Sequence, residues 1–87
     1  MQVYEESLLE PLALDGLTVP VLRLGSEDEP PESELQVGET VYEYQKSYPS
    51  RGYAAVLPKY LSEQLAADKR PLLVERPRRY YVYLSAG

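Results

Sequence analysis

The residues best equipped for chemistry stand together near the C-terminus, in Arg76-Pro77-Arg78-Arg79-Tyr80-Tyr81-Val82-Tyr83. Guanidinium groups grip carboxylates and phosphates bidentately, and a tyrosine ring offers a flat face on which an unpaired base can stack. Arg76, Arg78, Arg79, Tyr81 and Tyr83 are therefore the candidate binding residues. Arg and Tyr are also the types that dominate protein–protein hot spots. A protein partner stands first for these residues and single-stranded nucleic acid second, because Glu75 and the chain's net charge of −5 repel a phosphate backbone. A plainer reading of the same run makes the tyrosines core aromatics of a chain without Phe, their hydroxyls reaching water or backbone, and lets the arginines cap a turn.

Catalysis fits poorly. The chain contains no His and no Cys, so the commonest general base, the commonest metal ligand and the thiolate nucleophile are all missing. Carboxylates are numerous, but most lie in acidic, solvated sequence where nothing raises a pKa for acid–base work. The five glycines (16, 25, 38, 52 and 87) are scattered and form no phosphate-binding loop. The expectation is a non-enzymatic protein with no catalytic residues, no metal and no cofactor.

Charge is distributed unevenly. Residues 1–50 hold eleven carboxylates against Arg23 and Lys46, a net of −9, and residues 51–87 hold seven cations against three carboxylates, a net of +4. Such a dipole sets orientation and on-rate in association, while buried aromatics supply affinity. A basic aromatic hairpin and an acidic face elsewhere would let copies associate head to tail, or dock onto a charged partner. The expected function is thus a small binding or assembly module, a homo-oligomer or the subunit of a larger complex, working through its C-terminal hairpin.

At 87 residues the chain makes one small domain, 1–87, with a modest core and no disulfide to reinforce it. Ile, Asn, Phe and Trp are absent and there are nine tyrosines and eight prolines, a composition compatible with a thermophile. No run approaches the ~20 apolar residues that span a bilayer. The start, Met1-Gln2-Val3-Tyr4-Glu5-Glu6, lacks the basic beginning of a signal peptide, so no membrane partner and a cytoplasmic location are expected.

Asp15-Gly16, between two apolar stretches, accepts the positive φ of a two-residue turn and predicts a β-hairpin, with Leu17, Val19 and Val21 alternating toward one face. Pro11 and Pro20 belong on edges or at strand ends. Residues 25–34 carry two adjacent prolines and five like charges and read as an acidic, flexible loop. Leu35 to Tyr48 reads as one strand, with Tyr42, Tyr44, Lys46 and Tyr48 on the same face. A turn at 48–52 leads to a short strand, Tyr53-Ala54-Ala55-Val56-Leu57. The helix candidate follows, with Pro58 in its first position, a Leu57/Leu61/Leu65 stripe and Lys69-Arg70 in its last turn. Leu72–Glu75 and Tyr80–Leu84 form the closing hairpin. Its last strand is apolar or aromatic on both faces, so it is either central in its sheet or partly covered by something else.

The order β-β-loop-β-β-α-β-β predicts a mostly β fold with one short helix. It suits a small, strongly bent sheet or a partly open barrel of the SH3-like or OB-like kind. The run Gly52-Tyr53-Ala54-Ala55-Val56-Leu57-Pro58-Lys59-Tyr60-Leu61-Ser62-Glu63-Gln64-Leu65, with Leu72-Leu73-Val74 after it, resembles the strand–Leu-Pro–helix–strand pattern in the small β-domain of archaeal GINS replication subunits. The resemblance implies a module for subunit contacts. It covers a minor part of the chain, and the N-terminal hairpin and acidic loop have no counterpart in it.

Overall fold

The computed structural model describes residues 2–24, 32–51 and 53–85, with the side chains of 53–55 left out of the description. Among these residues the protein is mostly β, a single mixed sheet of seven strands with one helix. In chain order the elements are β1 (Gln2–Tyr4), a 3-10 turn (Glu6–Leu8), β2 (Glu10–Leu14), β3 (Leu17–Arg23), β4 (Glu34–Val37), β5 (Thr40–Pro49), α1 (Tyr53–Ala66), β6 (Arg70–Glu75) and β7 (Arg79–Ser85). Across the sheet the order is β1-β4-β5-β7-β6-β3-β2. β7 occupies the middle, as its two apolar faces require.

The sheet curls without closing. Laid flat, its outer strands β1 and β2 would stand six inter-strand steps apart, roughly 29 Å. The chain passes from Tyr4 to Glu10 in six residues, a reach of at most ~20 Å even when extended, and part of it is wound as a 3-10 turn. The edges are therefore drawn together. The sheet is bent and not closed into a barrel, in line with the expected mostly β fold with one helix.

Curling creates two cores. On one face α1 lays Leu57 and Leu61 over Val19, Val21, Leu73, Tyr80 and Val82. On the other, Leu35 and Val37 of β4 meet Leu22, Leu72 and Val74, which belong to strands three and four positions away in the sheet. Only a sheet folded over its own face brings these together. Tyr42, Tyr44, Tyr81 and Tyr83 fill the space between.

Several local expectations are corrected. Leu35–Tyr48 is two strands, because Gly38, at φ 59°, turns the chain between β4 and β5. The 53–57 stretch is helical. α1 starts at Tyr53, so Pro58 lies inside it and costs it one hydrogen bond, which the burial of Leu57 and Leu61 offsets. The strand–Leu-Pro–helix pattern is consequently not formed. Lys69 and Arg70 lie beyond the helix, which closes in a Schellman motif. Asp68 adopts φ 64°, the Lys69 N–H donates to the Gln64 carbonyl and the Asp68 N–H to the Leu65 carbonyl. Asp15 and Gly16 take φ 48° and 85°, the turn predicted for β2–β3. Glu34 opens β4, while 25–31 of the predicted acidic loop lie outside the described residues. Among the described residues no helix is long and apolar enough to cross a membrane.

Candidate functional site

The β6–β7 hairpin holds the sequence-predicted residues, and the structure divides them into two groups. β6 and β7 pair from Arg70–Ser85 to Glu75–Tyr80, and the Arg76 N–H closes the turn on the Arg79 carbonyl at 2.9 Å. Arg76 to Arg79 thus form the tip. Side-chain parity then sends Tyr81 and Tyr83 into the second core, where they are only 7% and 2% exposed. Tyr44 packs edge-on against both rings, at centroid distances of 6.1 and 5.6 Å. The Tyr83 hydroxyl donates to the Glu32 carbonyl at 2.8 Å, and burial, aided by Glu32, pushes its pKa up to about 12. Neither ring is available for stacking on a ligand. As binding groups these two tyrosines are corrected to core residues, in line with the plainer reading of the sequence.

The arginines remain at the surface, partly tied to the fold. Arg76 Nη1 donates to the Leu24 carbonyl at 3.0 Å and Arg79 Nε to Ser47 Oγ at 3.0 Å. Arg78 is exposed, and its carbonyl accepts the Ser50 N–H at 2.9 Å. That last bond brings in a residue sequence reasoning passed over. It sets exposed Arg51 one residue from the tip, although 27 positions separate it from Arg78. Arg23, the last residue of β3, is the second addition. It pairs with Glu10 of β2 and, at 2.7 Å, with Glu75 of β6, and with Glu75, Arg76 and Pro77 it lines a shallow hollow of ≈150 Å³. Five arginines from three stretches of chain thus converge on one end of the sheet, against Glu10 and Glu75. The signal that could have found them is the β5–β7 and β3–β6 register, which no local pattern encodes.

Carboxylates gather elsewhere. The 3-10 turn puts Glu6 against Gly38, so exposed Glu5, Glu6 and Glu39 collect around the β4–β5 turn. Glu34 and Glu43 stand directly opposite one another in the β4–β5 ladder. β5 runs from this acidic turn at Thr40 to the arginine tip at Pro49, ten residues or roughly 30 Å along the strand. The arginine tip and the acidic turn thus lie at opposite ends of β5, although Arg70 sits at the acidic end, within electrostatic reach of Tyr42.

One further cluster borders α1. Lys46 Nζ lies 4.3 Å from the Tyr60 ring centroid and 5.4 Å from that of Tyr48. Burial raises the Tyr60 pKa, with Lys46 opposing it. Among the described residues no group of three or more Asp and Glu is close enough to hold a metal ion. No protein-family model matches the chain, and neither a curated protein nor a solved structure matches it.

Proposed function

We propose that this chain is a non-enzymatic assembly module that makes protein–protein contacts through the basic tip of its C-terminal hairpin. The observation that carries the reading is the convergence of Arg23, Arg51, Arg76, Arg78 and Arg79 on one end of the sheet, opposite the Glu5/Glu6/Glu39 end. Arg76 and Arg79 are pre-set by their hydrogen bonds, so little side-chain entropy is lost when a partner docks. Tyr81 and Tyr83 serve as the rigid base of the hairpin. The complementary surface is acidic, and the chain's own carboxylate end is one such surface, so head-to-tail self-association and docking on an acidic protein use the same chemistry. The reading takes the chain to act in the cytoplasm, where a domain without cysteines loses nothing.

Nucleic-acid binding loses support, since its stacking rings lie in the core.

The test is light scattering behind size exclusion, at about 0.05 and 0.5 M salt, on the native chain and on an Arg51→Glu/Arg78→Glu variant, each alone and with a single-stranded oligonucleotide pool. Association that is strongest at low salt, absent in the variant and indifferent to the pool is the expected result. If the native chain stays monomeric, photo-crosslinking from position 78 in cells replaces it as the readout. Failure to capture any protein there would sink the proposal.

A further inference from the structure

The parallel ladder between β3 and β6 stops short. Its lowest pair is Val21–Leu73, although β3 begins at Leu17 and β6 at Arg70. Two prolines explain the stop. The Leu24 N–H donates to the Glu75 carbonyl at 3.2 Å, and alternate residues along a strand turn their peptide groups to the same neighbour. Residues 22, 20 and 18 therefore also face β6. The Pro11–Pro20 pair on the β2 side agrees, since two residues without N–H groups cannot exchange hydrogen bonds. Carried further down, the ladder would need an N–H from Pro20 to the Pro71 carbonyl, then one from Pro71 to the Thr18 carbonyl. Both donors are missing, so neither rung can form.

Where the ladder fails there is a cleft of ≈350 Å³, at the opposite end of β6 from the arginine tip. This volume lies at the lower end of the range for small-molecule sites. Val19, Pro20, Pro71 and Leu65 make its apolar walls. Leu65 is 42% exposed, whereas Leu57 and Leu61 on the same helix stripe are sealed. Thr18, Tyr42 and Arg70 supply the polar groups. Among the described residues no carboxylate lies within ion-pair distance of Arg70, and the Tyr42 hydroxyl has no hydrogen-bond partner. A further hydroxyl lies next to Arg70 in the β6–β7 ladder without lining the cleft. Ser85 is paired with Arg70 across β6–β7, is 5% exposed, and its hydroxyl is buried with no partner among the described residues. A buried hydroxyl left unclaimed in a native fold calls for an explanation.

We propose that this cleft binds an aliphatic carboxylate, its chain between Leu65 and the two prolines and its carboxylate on Arg70, with the Tyr42 hydroxyl as a further donor. Every unclaimed polar side chain here can donate, and the one charge is positive, which selects an anion. Burial raises the Tyr42 pKa, with Arg70 opposing it and Glu6 adding to it, so the hydroxyl enters as a donor at neutral pH. Free fatty carboxylates and the chain ends of peptides that finish in an aliphatic residue share this chemistry.

The probe is hexanoate, titrated into the ¹⁵N-labelled native chain and followed by amide shifts, with hexanamide as the neutral control. A second pair, N-acetyl-Ala-Leu and its C-terminal amide, separates the peptide source from the free acid. Saturable shifts at Thr18, Val19, Leu65, Arg70 and Leu72 are expected at about 1 mM, the range reached by so small a ligand. The neutral member of at least one pair should bind about tenfold more weakly, the share of one charge-assisted hydrogen bond. Arg70→Gln, an exposed position, should give the same loss with the amide spectrum otherwise retained. Whichever acid binds more tightly identifies the source. The proposal is overturned if neither acid shifts these amides saturably, if acid and amide bind equally, or if Arg70→Gln binds as the native chain does. None of these outcomes depends on the arginine tip, so this site and the assembly reading stand or fall separately.

Discussion

Tyr44 and Lys46 are two residues apart on one strand yet lie on opposite faces of the sheet. Tyr44 pairs with Tyr83 and Lys46 with Val82, so Gln45 has no partner of its own and forms a β-bulge. Tyr42 and Tyr44 consequently enter the second core, while Tyr48 joins the first and Lys46 reaches Tyr60 beside the helix. Bulges bend and twist a strand locally. This one sits where β5 passes from pairing with β4 to pairing with β7 alone, the place where the sheet must fold over itself.

The bulge makes an unusual deletion informative. Removing Gln45 leaves Tyr44 and Lys46 as chain neighbours opposite Tyr83 and Val82, with every side chain still on its present face. Only the bend is lost. Deletion should destabilise by about 1 to 3 kcal/mol in urea unfolding and weaken the near-ultraviolet circular dichroism of the tyrosine cluster. Gln45→Ala, at an exposed position, should stay within about 0.5 kcal/mol. Equal effects from the two changes would show that the bulge does not shape the curl.

The same residue shows where reading the sequence stops. Strict alternation from Tyr42 to Tyr48 places all four on one face, and that holds only if no residue is inserted. The Asp15-Gly16 hairpin, the β6–β7 hairpin and the Leu57/Leu61 face were legible because their determinants lie within a few residues. The two apolar faces of β7 were legible too, but they left open a central place or a covering element, and the sheet order decides for the first. β1 was not, since a three-residue strand gains stability only from a parallel partner more than thirty positions away. The first turn of α1 was hidden by Pro58, which marks a helix start more often than a helix interior. The tyrosines of the candidate site were legible as a choice between core and surface, which only the curl of the sheet decides. Arg23 and Arg51 were invisible as site residues because strand register alone brings them to the tip.

Tyr83 gives the fold a defined alkaline limit. An unfolded tyrosine ionises near pH 10, whereas burial and Glu32 hold this hydroxyl protonated to about 12. A raised folded-state pKa contributes stability that is fully present below pH 10 and is lost as pH climbs toward 12. The contribution is on the order of 2 to 3 kcal/mol for this nearly fully buried ring. Absorbance titration of the phenolates should show a late-ionising tyrosine, with unfolding in the same interval. In Tyr83→Phe the latest step should vanish. Should all nine tyrosines titrate together near pH 10 with the fold intact, the burial of Tyr83 is wrong.

Glu34 and Glu43 are a local cost that the fold carries. Like charges directly opposite in an antiparallel pair destabilise, and opposite charges gain a few tenths of a kcal/mol to about 1. Glu43→Lys should therefore stabilise the chain by about 0.5 kcal/mol at low salt, and less at high salt, as screening removes both the repulsion and its replacement. If Glu43→Lys is neutral or destabilising at every salt, the paired register of these two carboxylates is in doubt.

The leucine stripe of α1 separates what holds the helix down from what it leaves open. Leu57 and Leu61 have no exposed surface, and both pack on Val19, Val21, Leu73 and Val82. Truncating such a residue removes its transfer free energy and leaves a cavity, so Leu61→Ala should cost about 2 to 5 kcal/mol. Leu65 is one turn further along the same stripe but overhangs the cleft between β3 and β6. Nothing seals it, so Leu65→Ala should cost less than about 1 kcal/mol. Thermal unfolding of the two variants measures the contrast directly. A large loss at Leu65 would mean that the helix end is packed more tightly than an open cleft allows, and a small loss at Leu61 would mean that α1 does not seal the first core.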